Sequence, residues 1–194
     1  MTEQRGGLPV LAFRNGESFE EWLDQQPADA AGAWVKLRKK SVTAPGLSKA
    51  EAIDAALCHG WIDGQLDKYD DKYWLVRFTP RSARSKWSQV NKRRAIELLA
   101  EGRMRTSGVA QIEAAKADGR WATAYAPASS AEVPADLQNA FDANPEAAKF
   151  FATLKSANRY AILYRIGSVK RPETRARKIA EYVAMLERGD TIHG

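Results

Sequence analysis

Two runs of alternating side chains, residues 61–67 and 73–79, flank the polar turn Lys68-Tyr69-Asp70-Asp71-Lys72, and no other feature limits the fold as much. Successive side chains of a strand leave opposite faces of the backbone, so alternation at period two is the mark of a half-buried strand. A short polar turn between two such runs predicts an antiparallel hairpin. Residues 33–38 alternate in the same way, with Val35 and Leu37 on one face and Trp34, Lys36 and Arg38 on the other. Residues 10–13 form a short apolar run closed by Asn15-Gly16, and the chain before them is expected to fray. The fold class expected is therefore α+β: a small antiparallel sheet of about four strands, covered by helices and followed by a helical C-terminal segment.

The helices are announced by their ends. Ser18 is placed to cap a helix in which Phe19, Trp22 and Leu23 recur at helical spacing, before Pro27 stops it. Ser48 and Glu51 form a capping box, because hydroxyl and carboxylate can each satisfy an orphan N–H of the first turn; that helix is expected to run to about His59. Further helices are expected at 88–101 and 106–118. After a linker at 126–133, rich in Ala, Ser and Pro, they continue at 134–142, from Asn144-Pro145, at 156–166 and at 172–188. In the last of these Ile179, Tyr182, Val183 and Leu186 make the apolar stripe. The expected organisation is an α+β domain over 1–125, the linker, and a helical segment over 134–194. So many apolar side chains in short helices suggest that the segment packs on the first domain.

Composition excludes several function classes. One Cys and two His (His59 and His193) in 194 residues make neither a disulfide nor a Cys/His zinc site, so no metal and no cofactor are expected. No apolar run approaches the ~20 residues of a membrane span, and the first residues lack the pattern of a signal peptide. A cytoplasmic location is the expectation. Charge is unevenly placed: residues 81–105 hold eight Lys/Arg against two Glu, net +6, and residues 155–178 hold eight against one, net +7. Such stripes suit an anionic partner, and they equally suit two solvated helix faces.

The candidate site follows from the hairpin. Unbroken alternation puts Trp61, Asp63, Gln65 and Asp67 on one strand face; Trp74, Arg77, Arg81 and Trp87 complete a ligand-binding surface of aromatic, carboxylate and guanidinium groups. At least two of Trp61, Trp74 and Trp87 are nevertheless expected to be buried. Arg84, Lys86, Lys92 and Arg93 lead into a helix N-terminus and are the candidate phosphate-binding group. No catalytic residue can be assigned. Asp63 is the candidate acid or base if the chain is an enzyme, and the balance leans against catalysis. Cys58 is expected to be a small buried hydrophobe and His59 a helix C-cap.

Several runs, among them Ala56-Leu-Cys-His-Gly-Trp-Ile-Asp-Gly-Gln65, Tyr73-Trp-Leu-Val-Arg-Phe-Thr-Pro-Arg81, Asn158-Arg-Tyr-Ala-Ile-Leu-Tyr-Arg165 and Lys170-Arg-Pro-Glu-Thr-Arg175, resemble those of the bacterial YdeI/OmpD-associated family, also labelled bacteriocin-protection proteins. The resemblance extends over about 22–192, and 133–190 resembles the helical segment that defines the family. It implies a stress or bacteriocin-protection role and association with a porin, without membrane insertion and without assigned catalytic residues. The first half resembles, more loosely, the small α+β fold of MmcQ/YjbR-type proteins, some of which are discussed as DNA-binding. The expected function is therefore binding of an anionic ligand or partner on the Trp/Asp/Arg surface. The alternatives are nucleic-acid binding through the two basic stripes, or an enzyme using Asp63.

Overall fold

The structure, a computed structural model, describes residues 3–43 and 45–193. The chain divides into two units, with the boundary between Ala124 and Tyr125.

In the first unit, strands β1 (Gln4–Arg5), β2 (Leu8–Ala12), β3 (Ala33–Arg38), β4 (Trp61–Lys68) and β5 (Tyr73–Pro80) form one sheet in the order β1-β2-β3-β5-β4. The expected hairpin is there as β4 and β5, paired antiparallel. The sheet as a whole is mixed, with five strands in place of about four antiparallel ones. β2 and β3 run parallel, because helix α1 (Gly16–Asp24) carries the chain back before β3 begins. The additional strand lies where fraying was expected: Gly6 and Gly7, at φ 54° and 78°, make the two-residue turn that folds β1 against β2.

Helix α1 starts one turn earlier than the sequence suggested. Asn15 is the cap, its Oδ1 accepting from Ser18 N at 3.0 Å, and Ser18 completes a capping box from the third helical position. Helix α2 (Lys49–Cys58) begins as expected, with Glu51 N donating to Ser48 Oγ at 3.3 Å and Ser48 N to Glu51 Oε2 at 2.9 Å. These two helices cover one face of the sheet. Phe19, Leu23, Ala52, Ala55 and Ala56 close on Val35, Leu37, Val76 and Phe78 to make the main core. Helices α3 (Gln89–Ala100) and α4 (Thr106–Ala117) pack outside α2 through a second cluster that includes Leu57, Cys58, Trp87, Leu98 and Ile112. The other sheet face carries a smaller cluster of Val10, Trp34 and Leu75, with Leu8 and Tyr69 against it.

The second unit holds α5 (Ala135–Asp142), α6 (Pro145–Thr153), α7 (Ser156–Gly167) and α8 (Pro172–Glu187). Asn144 caps α6, its Oδ1 accepting from Ala147 N at 3.1 Å, with Pro145 in the first turn. Its apolar side chains, among them Phe141, Phe151, Leu163, Ile179, Tyr182 and Leu186, form one cluster whose members all lie between Ala131 and Ile192. The stretch expected to be a linker belongs to this unit: Ala131 and Val133 pack on that cluster, and Tyr160 Oη donates to Ala126 O at 3.1 Å.

Candidate functional site

The residues expected to form one ligand surface are dispersed by three physical causes. The first is a bulge. Asp63 pairs with Phe78 but Leu66 pairs with Val76, so β4 carries one residue more than β5 between these points, at Gly64-Gln65. One extra residue reverses every later side chain. Trp61 and Asp63 therefore share the Phe78 face, whereas Asp67, opposite Leu75, lies on the other. Gln65 sits exposed in the bulge itself.

The second cause is burial. Trp61 is 4% exposed, edge-on to Trp22 with ring centroids 5.5 Å apart. Trp87 is 2% exposed and meets Trp121 edge-on at 4.8 Å. The expectation that at least two of the three Trp are core side chains holds. Arg81 is buried as well. Its guanidinium lies 3.8 Å over the Trp87 ring, Nε donates to Trp61 O at 3.2 Å and Nη1 to Lys86 O at 3.3 Å. It fastens the 81–87 loop to the first residue of β4, and an external anion has no path to it without opening the core. Lys92 is likewise engaged, donating to Trp121 O at 3.0 Å.

The third is the strand alternation of β5, which sends Trp74 and Arg77 to opposite faces. Trp74, 37% exposed, stands under Lys39 Nζ at 4.5 Å. Arg77 is exposed opposite Trp34, on the sheet face away from α1 and α2. Arg84, Lys86 and Arg93 are exposed, and Asp63 is half-buried.

Much of the first basic stripe is paired internally, a pattern that counting charges along the chain does not reveal. Arg94 grips Asp54 with two bonds of 2.8 and 2.7 Å and reaches Glu97 and Glu101; Arg103 joins Glu20 and Asp54; Arg105 joins Asp24. The hydrogen bonds that Arg94 donates to Asp54 and Glu97 push its guanidinium further into its charged range. His59 caps α2 as expected, its Nδ1 donating to Ala55 O at 2.8 Å while Nε2 stands 2.9 Å from Asp24 Oδ1. This belt ties α1, α2, α3 and the 103–105 turn together.

Cys58 behaves as a buried hydrophobe, 1% exposed, and burial pushes its thiol up to about 11. The thiolate is the reactive species. An alkylating or disulfide reagent is therefore expected to label Cys58 at neutral pH only as fast as the unit opens. Rapid labelling of the folded chain, without denaturant, would contradict this burial.

A concave surface lies elsewhere, and no sequence reading pointed to it. A groove of about 580 Å³ runs between α5 and α8 and is lined chiefly by apolar groups. Ile179, Val183 and the small side chains of Ala140, Ala176, Ala180 and Ala184 line it. Three of these alanines repeat every four residues along α8, a signal legible in retrospect. At one end Arg175 binds Asp136, with Nη2 to Oδ1 at 2.9 Å, and anchors to Ile166 O at 2.8 Å. The Arg175 bonds hold the Asp136 carboxyl below the usual carboxylate range. At the other end Glu187 is exposed and has no ion-pair partner among the described residues. Among those residues no three His, Cys, Asp or Glu side chains gather as a metal site, and no helix is long and apolar enough to cross a membrane.

Residues 11–111, more than half of the chain, match the family described as a domain of unknown function, DUF8412. The chain belongs to the DUF8412 family. That segment takes in the end of β2, strands β3 to β5, α1 to α3 and the first half of α4. Residues 130–189 match a second family, described as "Bacteriocin-protection, YdeI or OmpD-Associated". The resemblance read over 22–192 is thus shown for the helical segment, and the part before it is covered by the DUF8412 match. No curated protein and no solved structure matches the chain.

Proposed function

We propose that the chain is a partner-binding protein of the bacteriocin-protection type, not a catalyst, and that the groove between α5 and α8 receives one amphipathic helix of a partner polypeptide. The observation that carries this reading is the position of the groove: its lining residues, from Asp136 to Glu187, all lie within the segment that matches the protection family.

The shape supports a helix as the occupant. The lining extends along α8 from Pro172 to Glu187, about 22 Å at 1.5 Å per residue, which suits four turns of a second helix. Alanines at 176, 180 and 184 allow close approach, and Ile179 and Val183 offer apolar surface to one face of the incomer. Charge supplies the polarity. Arg175 is already satisfied by Asp136, so the open carboxylate is Glu187, and the occupant carries a Lys or Arg toward that end.

Ala180→Glu tests the reading, because it sets a carboxylate into the apolar groove at an exposed helix position. The wild-type chain is expected to bind a Lys/Leu amphipathic helical peptide, followed by titration calorimetry. The variant is expected to bind at least tenfold more weakly, and cells producing it are expected to lose protection against a cationic bacteriocin. Equal binding by both chains, or none by either, rejects the groove as the docking surface.

A further inference from the structure

The sheet face opposite α1 and α2 holds a carboxylate already seated in a site. Glu3, just ahead of β1, places its Oε2 3.1 Å from Lys36 Nζ and 3.0 Å from Tyr69 Oη, and Lys36 Nζ in turn donates to Tyr69 Oη at 2.6 Å. Beneath these groups Trp34, 6% exposed, forms a flat apolar floor with Leu75 and Val10. Arg5 completes the cover: its guanidinium lies 5.5 Å from the Trp34 ring centroid and pairs with Asp67 on β4.

We propose that Glu3 and β1 are an internal pseudo-ligand, and that the site they occupy takes an external small molecule with a planar apolar body and a carboxylate or phosphate group.

The fastening of β1 is what makes it displaceable. Glu3, Gln4 and Arg5 are all exposed, so no apolar burial of their own holds them. The strand pairs at two positions only, Gln4 with Pro9 and Arg5 with Leu8, and Pro9 has no N–H to give the ladder. What remains is the bond from Val10 N to Glu3 O, the contact of Arg5 with the Trp34 ring, the bond from Tyr69 Oη to Glu3, and ion pairs whose carboxylates are one-third to one-half exposed, the weak kind. Gly6 and Gly7, both at positive φ with no atom within 4 Å of where a Cβ would stand, give the segment a hinge with room around it.

The receptor, by contrast, is built into the sheet. Lys36 projects from β3 and is four-fifths buried, and Tyr69 begins the turn between β4 and β5. Burial works against the Lys36 charge, yet the bonds to Tyr69 and Glu3 raise its pKa overall, so it stays an ammonium. The same bonds from Lys36 and Tyr69 lower the Glu3 carboxyl, as expected for a bound anion. Lifting β1 alone would bare Trp34 and Leu75 to water, whereas a ligand with a flat apolar body restores that contact. Arg77, exposed and paired with Trp34 in register, stands ready for a second anionic oxygen.

Glu3→Gln in the full chain tests this, because it removes the competing charge at constant size on an exposed side chain. A closed strap lowers apparent affinity by the fraction of open chain. Glu3→Gln is accordingly expected to bind 2-naphthoate at least tenfold more tightly than wild type, as read by Trp fluorescence and calorimetry. Adding Lys36→Met is expected to abolish the gain, and the neutral 2-naphthalenemethanol is expected not to bind. A comparison of 2-naphthoate with 2-naphthyl phosphate then assigns the anion. The proposal is overturned if Glu3→Gln binds no better than wild type, if Lys36→Met retains the gain, or if the neutral compound binds as well as the carboxylate. A Glu3→Gln chain that only melts earlier, without binding naphthoate, shows an ordinary ion pair and overturns it too.

Discussion

Trp61→Ala is expected to lower the stability of the first unit by about 3–5 kcal/mol, the range for truncating a buried large aromatic. The side chain is 4% exposed and packs edge-on to Trp22 within the main core. Its loss leaves a cavity between α1 and the first residue of β4, where Trp61 O also anchors the Arg81 guanidinium. A loss of that size is a large share of the ~5–15 kcal/mol that a whole domain has. Urea titration is expected to show a lower midpoint at unchanged slope, with Trp61→Phe falling between the two. The result also separates two roles for the same residue. Trp61 was a candidate ligand wall, and a wall residue on a surface can be truncated with little change in stability; a near-wild-type midpoint for Trp61→Ala would restore that role.

Gly108→Ala is expected to destabilise the same unit by about 2–3 kcal/mol, the usual penalty for forcing a group into a full space. Gly108 lies inside α4, where α4 crosses the end of α2. A Cβ there would stand 2.2 Å from Cys58 O and 2.8 Å from both Cys58 C and Leu57 O. These are backbone atoms of α2, so relief requires the two helices to separate, and Leu57, Cys58 and Ile112 lose their packing with them. On an open helix face the same substitution would gain up to about 1 kcal/mol from helix propensity. Gly167, the last residue of α7 with no atom within 4 Å of a Cβ, supplies that comparison. Calorimetry is expected to show a melting temperature lower by on the order of 10 °C for Gly108→Ala, and unchanged or higher for Gly167→Ala. Changes of the same sign in both variants would refute the close crossing of α4 and α2.

The Ser48/Glu51 box, the Asn144-Pro145 start of α6, the hairpin of β4 and β5 and the buried stripe of α8 were all legible in the chain, and for one reason. Each is decided among residues within one or two turns of one another, by an orphan N–H that a neighbour satisfies or by a period that one face imposes. Burial of two of three tryptophans was legible from hydrophobicity alone. The parallel pairing of β2 with β3 was not, since it depends on where α1 delivers the chain, and the extra strand β1 depends on two glycines turning a stretch without apolar pattern. The bulge at Gly64-Gln65 was equally silent: unbroken alternation reads the same with or without it, yet it decides whether Asp63 and Asp67 share a surface. Charge runs misled for the same physical reason. Glu97 and Glu101 are local partners that the sequence could offer Arg94, but only the approach of α1 and α2 brings Asp54, Glu20 and Asp24 to Arg94, Arg103 and Arg105. The groove between α5 and α8 joins Asp136 to Arg175, and the Glu3 site on the sheet joins Glu3 to Lys36, residues far apart along the chain. Periodicity and capping are short-range and leave their mark on adjacent residues; which face meets which partner is settled by long-range packing, and only the tertiary structure decides it.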